Sequence, residues 1–329
     1  RQRRLILRGA AATAVVAGGW AAWRVVSESA LSGGMGEAYD PWRTWPGEQR
    51  IAHDMAFAKY EPDAATLRAA QNVDPRLDLV RAAELAPSLL NSQPWRFRLN
   101  GADTVEVLRD DARQLRVLDP GGTQVLIAIG AALRNLQLAA EASGFRVEEV
   151  TPANDGSAVA RLRILRTGAA ASSPFGDAIP RCHDYFGAYD PEWSPGPDLA
   201  AELETLSTAG SARLLVLPPD TGAAAADAVL RTIEQVVADP DSLGEIHRWF
   251  RQTRESIYIA RDGINVDTFG LPLLRKVVLK AMPDMSPARL GRFLVEHARA
   301  SFAQDRAIGV VSLEGRGTPE DFLEAGRLW

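Results

Sequence analysis

A chain of 329 residues with 46% hydrophobic and 24% charged residues has the composition of a folded globular protein, long enough for one large domain or two ordinary ones. Its net charge of −5 excludes the basic footprint of a nucleic-acid binder and gives no attraction to an anionic membrane surface. The single cysteine, Cys182, rules out an intramolecular disulfide and is compatible with any compartment.

The chain opens on RQRRLILRGAAATAVVAGGWAAW, a basic start followed by an apolar run and then Arg24. Arg3-Arg4 with Ile6, Leu7 and Arg8 behind them resembles the twin-arginine export signal. The apolar run from Gly9 to Trp23 is shorter than the ~20 residues that span a bilayer, and its Ala/Gly character suits a signal. The plain alternative is a frayed amphipathic N-terminus. Residues 1–30 are therefore set aside as a signal, either cleaved near SESALSG or retained as a membrane anchor. The expected partner is the twin-arginine export machinery, and the expected location is periplasmic or membrane-anchored. That route carries proteins folded before export, often around a cofactor, which raises the expectation of one here. Residues 31–48 follow as a linker, AYDPWRTWPG, in which Pro41 and Pro46 argue against helix.

A first half is expected over residues 49–170. Ala64 to Ala86 is mostly helical, interrupted near Pro75; Leu77, Val80, Ala83 and Leu85 alternate with charged residues in an amphipathic helix that Pro87 ends. Trp95–Leu99 and Thr104–Leu108 read as a hairpin around Asn100-Gly101. Gly122 to Ser143 reads as a long apolar helix stopped by Gly144, with strands at Arg146–Val150 and Val159–Leu165. The Ala/Ser-rich link TGAAASSP leads to a second half, residues 171–329. There, helices are expected near Ile179, at Leu199–Leu206, Ala223–Val237 and Ala288–Ala303, and strands at Ala212–Leu217 and Ala307–Leu313. Strands arranged largely in hairpins predict an α+β fold with an antiparallel or mixed sheet.

One internal echo stands out. A strand region leads to DPGGTQVLIAIGAALRNLQLA, and near the end AIGVVSLEG leads to RGTPEDFLEAGRLW. Gly-Thr opens both helices, and Gly130-Ala131-Ala132-Leu133 resembles Glu324-Ala325-Gly326-Arg327 in position. The order suggests two related halves, the second of which looks truncated by one or two strands.

The chemistry concentrates in APSLLNSQPWRF, Ala86 to Phe97. Pro87 breaks the helix, Ser88, Asn91 and Gln93 put hydroxyl and amide groups into the turn, and Pro94 forces extended geometry on Gln93 before Trp95. Such a loop suits the edge of a planar heteroaromatic ligand. The alternative is a capped turn with Trp95 in the core.

This run resembles the APSxxNxQPWxF loop of the nitroreductase superfamily, and DPGGTQVLIAIGAALRNLQLAAEASGF is similar to the helix that follows it there. The signal, the linker and the doubling look most like the Acg-type branch, with two nitroreductase-like halves in one chain. The likeness covers most of residues 40–329 but is specific only at Ala86–Phe97 and Leu118–Gly144. It implies a nitroreductase-like fold and FMN bound between halves that mimic a dimer in a monomer. It also implies hydride and electron transfer between a small-molecule donor and acceptor. Pro87, Ser88, Leu89, Asn91 and Gln93 are the implied ring contacts, with backbone N–H groups and Asn91 steadying the anionic edge that develops on reduction. For the phosphate the resemblance points to IPRCHDYFGAYD, Ile179 to Asp190, with Arg181 as the first arginine and His183 or Asp184 at a hydroxyl position. Phe186 stands where a second arginine is expected, and Thr123 where the branch often carries arginine. No catalytic acid or base is implied. The rival reading is a flavin store without turnover, and the third is a scaffold with no ligand.

The remaining candidates have plain readings beside them. His183 either bonds a phosphate oxygen or is a surface histidine; His53, His247 and His297 lack metal spacing, so no metal site is expected. Arg248, Arg251 and Arg254, at i, i+3 and i+6, form either a solvated helix face or a rim for an anionic substrate. Trp249, Phe250 and Tyr258 read as core. ARDGINVDTFG, Ala260 to Gly270, reads as a loop, which in the related branch is a lid. No dinucleotide fingerprint or P-loop occurs.

Overall fold

The computed structural model describes residues 74–150, 158–168, 174–179, 182, 186, 197–205, 211–217, 219–302, 308–314 and 317–329. The export signal, the linker, Arg181 and His183 lie outside the described residues, as does most of the link between the expected halves.

Helix α1 (Arg76–Glu84) is followed by a 3-10 turn (Leu89–Asn91) and by β1 (Trp95–Asn100) and β2 (Thr104–Arg109). After a second 3-10 turn (Asp111–Arg113) come α2 (Thr123–Ala142), β3 (Phe145–Val150) and β4 (Ala160–Arg166). These four strands form one antiparallel sheet in the order β1-β2-β4-β3. The hairpin sits where Asn100-Gly101 predicts it, with Asn100 opposite Thr104 and Gly101 at φ +55°. Arg76, buried under the turn, donates to the carbonyl oxygens of Asn100, Gly101 and Thr104 at 3.3, 3.0 and 3.0 Å. A guanidinium thus replaces the missing ladder at the hairpin end.

Helix α2 forms because its Ala, Leu and Ile content favours helix and its apolar residues recur at the helical period. Val125, Ala128, Ile129, Ala132, Leu133, Leu136 and Ala140 are all buried. By length and composition it would cross a membrane, but it packs as the central core helix, between α1 and the sheet. Asp119 accepts from the Val125 N–H at its start, and Gly144 in the left-handed region at φ +77° follows its end.

The second region holds α3 (Pro174–Ala178), α4 (Pro197–Thr205), β5 (Ala212–Leu217), α5 (Pro219–Ala238) and α6 (Pro240–Arg248). Then come β6 (Phe250–Arg251), α7 (Arg254–Ala260), β7 (Ile264–Asn265), a 3-10 turn (Val266–Phe269), α8 (Leu273–Ala281), α9 (Pro287–Phe302), β8 (Ile308–Leu313) and α10 (Pro319–Leu328). β5 and β8 pair antiparallel, while β6 and β7 make a short parallel bridge. The molecule is α+β, with mainly antiparallel sheets and helices against them, an arrangement compatible with the expected nitroreductase-like class. The order helix, strand, antiparallel strand, helix occurs as α1-β1-β2-α2 and again as α4-β5-β8-α10, with α5 to α9 between the second pair of strands.

One expectation is corrected. Arg248, Arg251 and Arg254 do not share a helix, because α6 ends at Arg248, Arg251 lies in β6 and α7 starts at Arg254. Arg251 is not solvated either: it pairs with Asp262 at 2.7 Å.

α2 and α10 cross at two glycines. A Cβ on Gly130 would stand 2.1 Å from the Leu323 carbonyl oxygen, and one on Gly326 would stand 1.9 Å from that of Ile127. Leu323 precedes Gly326 by three residues and Ile127 precedes Gly130 by three, so the contact is reciprocal. The crossing passes side chains between cores. Leu323 joins the core of α1, α2 and the four-stranded sheet, while Leu90 and Leu118 pack against Ile246, Phe269, Leu271, Met285, Leu290 and Phe293.

Gly326→Ala is expected to lower stability by about 3 kcal/mol, since a backbone oxygen must yield. Gly244→Ala, in a helix interior with no atom within 4 Å of the added carbon, should gain about 0.5–1 kcal/mol. Urea midpoints of the two variants check the pair.

Glu106 supplies a pH prediction. It is buried in β2, where burial pushes its pKa up, but the Arg161 and Arg98 guanidinium groups outweigh this and hold it below the usual glutamate value of 4.5. The folded protein therefore binds this proton less readily than the unfolded chain. The stabilisation is complete above 4.5 and is lost as pH falls through the lower folded value. Glu106→Gln should be less stable than wild type at neutral pH, and its urea midpoint should converge on wild type in acid.

Candidate functional site

The loop from Pro87 to Pro94 joins α1 to β1. Leu90, Asn91 and Gln93 have φ of 53°, 49° and 49°, so three non-glycine residues occupy the left-handed region within four positions. Gln93 is thus not extended as Pro94 predicts, because its N–H bonds back to Ser88 Oγ and its amide to the Arg261 carbonyl. Each left-handed residue costs about 1–2 kcal/mol, least for asparagine. The strain persists because the loop's polar groups find partners. Ser88 is buried; its carbonyl oxygen accepts from the Asn91 N–H at 2.8 Å and its Oγ from the Gln93 N–H at 3.0 Å. The Ser92 N–H donates to the Leu89 carbonyl at 3.1 Å. Pro87, Leu89, Asn91 and Gln93 are each half-buried, and Trp95 sits in the core.

A segment of the second region docks on this loop. Asn91 Nδ2 donates to the Gly263 carbonyl at 3.2 Å, the Gly263 N–H returns a bond to the Asn91 carbonyl at 3.0 Å, and Gln93 Nε2 donates to the Arg261 carbonyl at 2.9 Å. Gly263 must be glycine here. Its φ is +76°, and a Cβ would lie 2.2 Å from the Trp249 carbonyl oxygen. Arg113 braces the same place, donating through one nitrogen to the Ser92 carbonyl at 3.1 Å and to Asp262 at 3.0 Å.

One N–H of Asn91 Nδ2 and the amide nitrogen of Gln93 are therefore engaged within the protein, as are the backbone N–H groups of Asn91, Ser92 and Gln93. The oxygens the loop offers a ligand are Gln93 Oε1 and Asn91 Oδ1, whose bond from Gln93 Nε2 is long at 3.4 Å; beside them stand the second N–H of Asn91 Nδ2 and the Ser88 hydroxyl. ARDGINVDTFG, read as a loop, holds a short strand and a 3-10 turn, and its Arg261–Gly263 part is the docked segment.

Phe186, at the expected position of a second arginine, packs its ring 5.6 Å from that of Phe269, at the edge of an aromatic cluster with Phe250, Phe293 and His297. His297 Nδ1 lies 2.9 Å from the Phe293 carbonyl and His247 Nε2 lies 2.7 Å from that of Met285, so both have backbone partners. Among the described residues no group of three or more His, Cys, Asp or Glu is placed to hold a metal ion.

Four residues with no role in the sequence reading shape the site. Arg113 and Asp262 join the two regions. Glu245, buried in α6, accepts from the N–H groups of Val117 and Leu118 at 3.0 and 2.8 Å. Gln252 is fully buried and binds the carbonyl groups of Leu279, Met282 and Pro283 through Nε2 and the Met285 N–H through Oε1. Only the Asp262-Gly263 turn pair carried a visible signal.

No family model matches the chain. Over 93 residues it is 30% identical to two Mycobacterium tuberculosis proteins, named "Putative NAD(P)H nitroreductase MT3217" in strain CDC 1551 and "Putative NAD(P)H nitroreductase Rv3131" in strain H37Rv. The match spans 28% of this chain and 24% of each relative. The similarity is local, covering about a quarter of the length of each relative.

Gly263→Ala is expected to undock the segment. Left-handed strain and a backbone clash together should cost about 3 kcal/mol or more, and limited proteolysis should cut near residue 261 faster than in wild type.

Proposed function

We propose that this chain is an FMN-dependent, nitroreductase-like oxidoreductase, built from two related halves and exported through the twin-arginine pathway. The observation that carries the reading is the strained loop of Ser88 to Gln93, held from the far region with amide oxygens left over. It lies in the run that resembles the superfamily's flavin-contacting loop. The isoalloxazine ring system offers an imide N–H at its edge, which suits an oxygen-presenting loop. Asn91 and Gln93 would accept from that edge, while Ser88, tied to the loop backbone, keeps the peptide geometry fixed. Bound FMN would supply hydride acceptance from a small-molecule donor and electron delivery to an acceptor. The protein's part is to hold the ring flat and to shape the space beside it.

The repeated helix-strand-strand-helix order and the reciprocal glycine crossing support the two-half reading. In that reading Arg181 grips the phosphate from the second half, with His183 beside it. A flavin store without turnover is the second reading, favoured by one observation: Phe186 is packed on Phe269 where a second arginine is expected.

Purified protein titrated with FMN should bind it, and Arg181→Ala should weaken binding by at least the ~1.5 kcal/mol of one charge-assisted contact. Absence of flavin binding by wild type would reject both readings. If FMN binds, anaerobic bleaching by NAD(P)H supports the enzyme, and a lasting yellow colour supports the store.

A further inference from the structure

Asp262 is the charged residue at the centre of the docked segment, and the flavin reading gives it nothing to do. Its side chain is only 10% exposed, yet its carboxylate meets two guanidinium groups. Oδ2 accepts from Arg113 Nη1 at 3.0 Å, and Oδ1 accepts from Arg251 Nε and Nη2 at 3.0 and 2.7 Å. The nitrogen of Arg113 that meets Asp262 also donates to the Ser92 carbonyl at 3.1 Å. That carbonyl belongs to the residue between left-handed Asn91 and Gln93. On either side of Asp262, the carbonyls of Arg261 and Gly263 receive the amides of Gln93 and Asn91.

We propose that Asp262 is a positioning residue for the loop. It steers the Ser92 carbonyl through Arg113, and it seats the carbonyls that receive the Asn91 and Gln93 amide nitrogens and so fix how both side chains are turned. The chemistry requires a carboxylate. An asparagine has one oxygen, so its NH2 would face one of the two guanidinium groups, donor against donor. A glutamate would add a methylene to a tightly bonded turn. The two regions are already pressed together by the α2–α10 crossing, so holding them together does not require this ion pair. Orienting the loop does. The step from loop geometry to flavin rests on the functional reading above; the step from Asp262 to loop geometry does not.

The test compares wild type, Asp262→Asn and Arg113→Gln, first without cofactor. Hydrogen exchange at the Asn91, Gln93 and Gly263 amides should quicken tenfold or more in both variants, while amides of α2 and α10 keep wild-type protection. The double variant should exchange no faster than either single one, because both act through one contact. FMN titration should then show affinity reduced tenfold or more, with a shifted visible band in whatever flavin remains bound. Unchanged loop exchange would overturn the proposal. Exchange rising equally in α2 and α10 would also overturn it, leaving a general structural ion pair. Faster loop exchange with wild-type FMN affinity and spectrum would overturn the positioning role. If wild type takes up no FMN, the flavin reading falls, and the exchange arm alone decides for or against Asp262. Should Asp262→Asn fail to fold, Arg113→Gln carries the same readouts.

Discussion

The arrangement depends on the absence of two β-carbons. Where α2 and α10 cross, backbone meets backbone, and any side chain at Gly130 or Gly326 would occupy the space of a carbonyl oxygen on the other helix. Interaxial distances are normally set by the side chains at the contact, and here there are none. The approach puts Leu323 into the core around α2 and brings Arg327 to Glu149 on β3. The loop from Pro87 to Pro94 also meets the second region. Leu90, at the strained centre of that loop, packs among residues of α6, α9 and the 3-10 turn before Gly270. The site is thus a property of the interface, with neither region able to build it alone.

Around that interface the charges alternate. Arg96 binds Asp110 at 2.9 Å, Arg113 lies 3.9 Å from Asp110 and 3.0 Å from Asp262, and Asp262 binds Arg251. Asp110 is almost fully buried and Asp262 nearly so. Removing such carboxylates from water costs several kcal/mol each, which partners largely offset without a large surplus. The network therefore contributes little net stability. Its effect is on uniqueness: a buried carboxylate between fixed guanidinium forks tolerates one register, whereas the apolar contacts of Leu90 and Leu118 tolerate several. Glu245 acts in the same way one loop further on, taking two adjacent N–H groups that no other register would align.

Elements whose pattern carries its own period were legible in the sequence. The Asn100-Gly101 hairpin, α2 between Gly122 and Gly144, β5 and β8 all fall within a residue or two of expectation, because local turn chemistry and helical or strand periodicity specify them. The stretch from Arg248 to Met282 was not legible, for physical reasons. Trp249 interrupts what looks like a continuous helix, and α8 inverts the usual pattern. In α8, Leu274 and Val278 are 72% and 47% exposed, while Lys276 is buried and Lys280 is turned in to Asp267 at 2.7 Å. Period alone cannot say which face is inside when the buried face carries lysines. At the site, the motif located Ser88, Asn91 and Gln93 correctly on one loop. It could not reveal that their partners lie some 170 residues further on, because a bond to a backbone carbonyl leaves no trace in the identity of the residue that supplies it.

That last point changes the polarity of the loop. Read as a string, Ser-x-x-Asn-x-Gln offers as many donors as acceptors. In the folded chain one N–H of Asn91 Nδ2 goes to the Gly263 carbonyl, and Gln93 Nε2 goes to that of Arg261 and, at 3.4 Å, to Asn91 Oδ1. Turning the loop left-handed takes up the backbone N–H groups of Asn91 and Gln93 as well. The balance moves towards oxygen, although Asn91 Nδ2 carries a second N–H and Ser88 a hydroxyl hydrogen. An amide oxygen pairs with an N–H and repels a carbonyl, so the fold biases the loop towards a donor edge in a way that the string of residues does not.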